Sequence, residues 1–105
     1  MTSNDGKGSW AVVFTSRLKA NADGYAAAAR RMVELARAQP GFVGVESARG
    51  EDGVGITVSW WETREAIARW RDHPEHVAVR ARAGEWYESW QVRVLKMEDG
   101  NGVPR

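Results

Sequence analysis

Six tryptophans stand in a chain of 105 residues, and five of them fall between Trp60 and Trp90. This is more flat aromatic surface than a small domain needs for stability alone. It points to a fold whose second half lines an aromatic cavity, a subunit interface, or both. A chain of this length buries only about 60–65% of its unfolded surface, so a lone subunit would be marginal.

The charge balance narrows the classes. Fifteen Lys and Arg against fourteen Asp and Glu leave a formal net charge of +1, without the concentrated basic excess of a nucleic-acid binder. The absence of cysteine excludes disulfides, thiolate metal sites and cysteine nucleophiles. No apolar run approaches the roughly 20 residues of a membrane span, and residues 1–9 lack a signal-peptide apolar core. The expectation is a cytoplasmic protein with one domain over residues 10–98, flanked by flexible tails at 1–9 and 99–105.

Within that domain the periodicity predicts alternating elements. Trp10 to Leu18, with Val12, Val13, Phe14 and Thr15, reads as a strand. Asn21 or Asp23 can cap a helix whose Tyr25, Ala28, Ala29, Met32, Leu35 and Ala36 recur at three- and four-residue spacing. Pro40-Gly41 ends it. Phe42 to Arg49 and Val54 to Trp61 read as strands joined by the turn Gly50-Glu51-Asp52-Gly53. Thr63 can cap a second helix with Ala66, Ile67 and Trp70 on one face. Pro74 then opens a further helical turn that runs to Gly84 as a C-terminal stop, and Trp86 to Met97 reads as the last strand. This is β-α-β followed by β-α-β, an α+β fold of the split βαβ, ferredoxin-like kind with an antiparallel four-stranded sheet. Helices cover one sheet face, and the other is apolar enough to expect a partner sheet.

Several segments resemble the antibiotic biosynthesis monooxygenase family: Pro40-Gly41-Phe42-Val43-Gly44-Val45-Glu46-Ser47, Ile56-Thr57-Val58-Ser59-Trp60-Trp61-Glu62, Trp70-Arg71-Asp72-His73-Pro74-Glu75-His76 and Trp86-Tyr87-Glu88-Ser89-Trp90. The resemblance covers roughly Trp10 to Met97. It implies a homodimeric α+β barrel in which two sheets meet face to face, with a pocket in each subunit between sheet and helices. It also implies that Trp70 occupies a functional helical position. The family includes cofactor-independent oxygenases of polycyclic phenols, heme-degrading enzymes and proteins of other roles, and fold alone does not choose among them.

Oxygenation without a cofactor needs an electron-rich substrate, a base or charge stabiliser, and an apolar aromatic pocket. His73 and His76 are the only histidines, and their ordinary pKa suits proton transfer near neutrality. The expected roles are His76 as proton acceptor, Arg80 as anion stabiliser and Trp70 as stacking wall. Phe14, Ser16, Trp60, Trp61, His73 and Tyr87 are expected to line the ligand site, with Tyr25 as a further phenolic partner of a small aromatic ligand. The plainer alternatives stay open. His73 can simply cap the turn at Pro74, His76 can bond a backbone carbonyl, and Trp70 can be core. Trp60 and Trp61 must point to opposite sheet faces.

The expected reading uses neither flavin nor metal. For the heme-degrading branch the resemblance asks for an Asn near the end of the first strand, the helical Trp, and a His further along the helix. Here Ser16 and Arg80 stand at the first and last of these positions. A metal site from His73, His76 and Asp72 or Glu75 lacks a completing ligand. Gly50, Gly53 and Gly55 lie between strands and precede no helix, so turn chemistry explains them better than phosphate binding. Two alternatives stay open: a non-catalytic, ligand-binding or stress-associated dimer of the same fold, and a heme-binding protein that holds heme through His76 in another geometry.

Overall fold

The computed structural model describes residues 9–98; of the tails expected at 1–9 and 99–105, all but Ser9 lie outside them. The elements run β1 (Trp10–Leu18), α1 (Tyr25–Arg37), β2 (Phe42–Arg49), β3 (Val54–Trp61), α2 (Arg64–Arg71), α3 (Pro74–Ala81), α4 (Ala83–Trp86) and β4 (Tyr87–Lys96). The four strands form one antiparallel sheet in the order β2-β3-β1-β4. Each βαβ unit is thereby split by a strand of the other, as the alternation of patterns predicts. No described helix is long and apolar enough to cross a membrane.

The local chemistry explains the boundaries. Gly50 and Gly53 close the β2–β3 turn, with Gly53 N donating to Gly50 O at 3.0 Å and Gly50 N to Val54 O at 2.9 Å. Thr63 caps α2, its Oγ1 accepting from Ala66 N at 3.0 Å, which contributes about 1 kcal/mol. Pro74 occupies the first turn of α3, where its missing N–H costs nothing. Gly41, at φ 87°, sits so close under α2 that a Cβ there would lie 2.6 Å from Ala66 Cβ. Only glycine allows both that backbone conformation and that approach.

Three expectations are corrected. Neither Asn21 nor Asp23 caps α1: the N-cap is Gly24, in the left-handed conformation and without a side-chain bond. The Asp23 carbonyl instead accepts from Trp86 Nε1 at 2.9 Å. Gly84 is no stop, because the chain makes one more helical turn through it, and Trp86 belongs to that turn rather than to the last strand. Trp86 is 2% exposed, turned inward against the Asp23 carbonyl and the Tyr25 ring.

Packing fixes the two sheet faces. Trp61 is fully buried among Ala36, Ala66 and Ile67, with Trp10, Val12, Phe42 and Trp70 against them. Directly paired residues share a face. Trp10, Val12, Phe14 and Ser16 of β1 therefore join Trp61, Ser59, Thr57 and Gly55 of β3 on the helix side, together with Trp90, Val92 and Val94 of β4. Val13, Val58, Trp60, Ile56 and Leu95 occupy the opposite, helix-free face. The helices reach β4 only at Tyr87, and every residue of that strand after it is exposed. Trp90, Val92 and Val94 are 48%, 55% and 45% exposed.

Candidate functional site

Two aromatic groups occupy the helix side of the sheet. The first begins in the core. Phe42 meets Trp61 edge-on at 5.4 Å, and Trp61 lies near-parallel to Trp70 at 6.5 Å. Trp70 stacks on His76 at 4.2 Å with an interplanar angle of 14°, and His73 lies 5.7 Å from the same indole. The His76 Nδ1 is 3.0 Å from the Trp70 carbonyl. A carbonyl only accepts, so this bond puts the proton on Nδ1 and leaves Nε2 as the basic nitrogen. Burial lowers the His76 pKa below its ordinary value; the bond to Trp70 opposes that, and the nearby Arg80 and His73 charges reinforce it. His76 is thus a neutral, oriented imidazole near neutrality.

The helix that carries it is loosely seated. No residue of α3 is buried. It is held at its start by His73, whose Nδ1 accepts from Glu75 N at 3.1 Å. Along its outer surface Arg31 of α1 donates twice to Glu75, at 2.9 and 3.1 Å. Arg80 is exposed and donates to the Arg71 carbonyl at 2.9 Å, which ties α3 to the end of α2.

The second group lies at the other end of β1. Phe14 meets Tyr87 at 5.3 Å, Tyr87 meets Tyr25 at 5.6 Å, and Tyr25 meets Trp86 at 6.3 Å, all edge-on. Trp90 lies 6.2 Å from Tyr87. Arg49, the last residue of β2, reaches into this group. Its guanidinium donates to Ser16 Oγ at 2.9 Å, to Tyr25 Oη at 3.3 Å, and to the carbonyls of Gly53 and Ser16 at 2.6 and 3.4 Å. The Arg49 Cζ stands 5.6 Å from the Tyr25 ring centre and 5.9 Å from that of Tyr87. Burial pushes the Tyr87 phenol well above its usual range, and its hydrogen bond to Tyr25 adds to the effect. Between the two groups the inward-facing Val12 and Phe14 are only half-buried. The apolar surface here is therefore incompletely covered by the helices, and it continues onto the open face of β4.

The expected site residues separate on this frame. Trp70, His73 and His76 come together at one end, and Phe14, Ser16 and Tyr87 at the other. Trp61 is wholly inside the core at 0% exposure, its Nε1 donating to Ser59 Oγ at 2.9 Å. Trp60 points away, to the helix-free face. The heme-type arrangement does not fit these residues: the Trp70 ring is already stacked on His76, the Ser16 hydroxyl is bonded by Arg49, and Arg80 lies on the outer surface. Among the described residues no three His, Asp or Glu side chains gather in a metal-binding group. Arg49 was not singled out by its sequence context. Strand alternation carried the signal, since it sets Arg49 on the same face as Ser47 and Val45.

Comparisons with known proteins agree with this architecture. Residues 11–82 match the protein family described as antibiotic biosynthesis monooxygenase. The chain is 51% identical over 90 residues to the uncharacterized protein YqjZ of Bacillus subtilis (strain 168), covering 85% of this chain and 79% of that one. Among solved structures it resembles Rv0793 from Mycobacterium tuberculosis, with a TM-score of 0.78 and 22% identity over 89% of this chain and 98% of that one. It also resembles SnoaB, a cofactor-independent oxygenase from Streptomyces nogalater, with a TM-score of 0.75 and 14% identity over 88% and 95% of the two chains. At these identities the two structures speak to the fold.

Proposed function

Because the chain belongs to the antibiotic biosynthesis monooxygenase family, we propose that it acts as a small monooxygenase on a planar phenol or quinone-type ligand, held in the cleft between helices and sheet. The observation that carries this reading is the His76–Trp70 pair: an imidazole stacked at 4.2 Å on an indole, with Nδ1 on a carbonyl and Nε2 left basic. His76 takes the proton that converts the ligand to its phenolate or enolate. The ionised ligand reduces oxygen directly, and no flavin or metal takes part. For an anthrone-type phenol the ring CH2 becomes C=O; one oxygen atom enters the product and the other leaves as water with both hydrogens. Trp70 walls the site, and the Arg80 charge helps to keep His76 neutral. The likeness to the cofactor-independent oxygenase SnoaB supports the choice of chemistry.

The helix-free sheet face supports a homodimer. Ile56 and Leu95 are 43% and 46% exposed there, beside Val13, Val58 and Trp60. A second sheet packed on this face would cover them.

Oxygen uptake with an anthrone-type phenol, followed on the purified protein and on His76→Ala, tests the reading. The parent should consume oxygen and the variant should not. A variant as active as its parent removes His76 from the mechanism. If neither consumes oxygen while both bind the phenol equally, the non-catalytic binding dimer replaces the oxygenase.

A further inference from the structure

Arg49 is a half-buried cation that pairs with no carboxylate among the described residues. A charge held away from water normally carries a counter-charge. Here its partners are two carbonyls, two hydroxyls and the faces of two phenol rings. The carboxylates near this end of the sheet are engaged elsewhere or, like Glu51 and Glu88, line the same surface depression as Arg49 without an ion pair to it. Asp52 Oδ1 accepts from Val54 N at 3.0 Å, and Glu85 pairs with Arg82. Two further cations at this end also bond carbonyls rather than acids: Arg17 donates to Asp52 O at 3.2 Å and Lys19 to Gly84 O at 2.6 Å.

The hydroxyls around Arg49 leave donors to spare. Ser16 Oγ and Tyr25 Oη both accept from the guanidinium, so the Ser16 proton and one proton of the hydrogen-bonded Tyr25–Tyr87 pair are left for an acceptor. Ser16 is 6% exposed, in the floor of the cleft. Phe14 and Tyr87, edge-on to each other, supply aromatic surface beside them, and Trp90 stands at the open side. The fold also makes room for the cation. Gly55 is the cross-strand partner of Arg49, and a Cβ there would lie 2.6 Å from Cζ.

We propose that Arg49, with the hydroxyls of Ser16, Tyr25 and Tyr87, forms an oxyanion-binding end of the cleft, so that the ligand is an aromatic compound bearing an ionised oxygen at one edge. The proposal rests on the aromatic-ligand reading above and narrows it. The ring system lies along the apolar floor beside Phe14 and Tyr87, its anionic oxygen against Arg49. Ring-borne carboxylate and phenolate share this chemistry; a neutral ring lacks it.

Calorimetric titration of the full-length protein with 2-naphthoate and with 2-naphthamide tests it, since the two share a ring system and differ in charge. 2-Naphthoate should bind about tenfold more tightly, the scale of one charge-assisted hydrogen bond. Arg49→Met should erase that preference, bringing the two affinities within about twofold of each other, and Tyr87→Phe should reduce it several-fold. Circular dichroism checks that each variant is folded; if Arg49→Met is not, Arg49→Lys, which keeps charge and loses the fork, takes its place. Equal affinity for acid and amide on the unaltered protein overturns the oxyanion end and leaves the aromatic cleft standing. A preference for the acid that survives both substitutions overturns it too, because the anion is then held elsewhere. Failure of both probes to bind removes the oxyanion end and the aromatic-ligand reading together.

Discussion

Arg49 and Gly55 face each other across the β2–β3 pair, and the guanidinium of one occupies the space where the other would carry a side chain. A methyl group at Gly55 would sit 2.6 Å from Cζ and 2.8 Å from Nη1 of Arg49, and 3.0 Å from the Ala48 carbonyl. The arginine can swing outward, but only by giving up Ser16 and Tyr25. Gly55→Ala should therefore cost about 1–3 kcal/mol, as overpacking does, and should lose the preference for 2-naphthoate as Arg49→Met does. Urea denaturation and the same titration read both effects. An alanine variant that keeps parental stability and preference would mean that Arg49 is not held by this contact.

His76 gives the fold a pH dependence of defined sign. Its pKa is lowered in the folded chain, first by burial, so the unfolded chain binds the proton more readily. The associated stability is complete above about pH 6.5, the ordinary histidine value. It is lost as pH falls from there toward the lower folded value. Melting temperature should drop over that window, and His76→Gln should flatten the drop. A parallel decline in parent and variant would assign the effect to other groups.

Trp61 is the keystone of the core, with no exposed surface and contacts to Phe42 and Trp70. Trp61→Ala should destabilise the fold by about 3–5 kcal/mol. Trp61→Phe should lose less, because it keeps one aromatic ring while giving up the rest of the indole and the Nε1 bond to Ser59. Denaturant midpoints of the two variants give the ranking, and a loss below about 1 kcal/mol in the alanine variant would contradict such tight packing.

The proposed dimer has its own test. Ile56→Glu sets a charge in the middle of the apolar helix-free face. Sedimentation should show a dimer for the parent at micromolar concentration and a monomer for the variant. A parent that sediments as a stable monomer removes the barrel and leaves that face without a partner.

Much of the fold was legible because its signals are local. The β1, β2 and β3 boundaries follow from β-branched runs closed by Gly50, Gly53 and Pro40-Gly41, and Thr63 and Pro74 mark helix starts through their own backbone chemistry. Trp86 was misread because an aromatic residue beside a strand pattern reads as strand, and only the packing of α4 shows it turned inward. Arg49 beside a glycine turn looks like a solvated residue. Its role depends on Ser16 and Tyr25, which are 33 and 24 positions away and become neighbours only through strand register. The His76–Trp70 stack sat between these cases: their six-residue separation is visible, but the break at Pro74 that brings the rings parallel is a tertiary result.

The weak seat of α3 separates how fast a ligand enters from how tightly it stays. A helix with no side chain in the core has the least to lose by lifting, and what restrains it from α1 is a solvent-exposed arginine–glutamate fork. Ionic strength weakens such a tie without touching the sheet. Added salt should thus quicken exchange of a ligand held beneath α3, even as it screens the attraction of an anion to Arg49, so that residence time becomes the quantity most sensitive to the ionic surroundings.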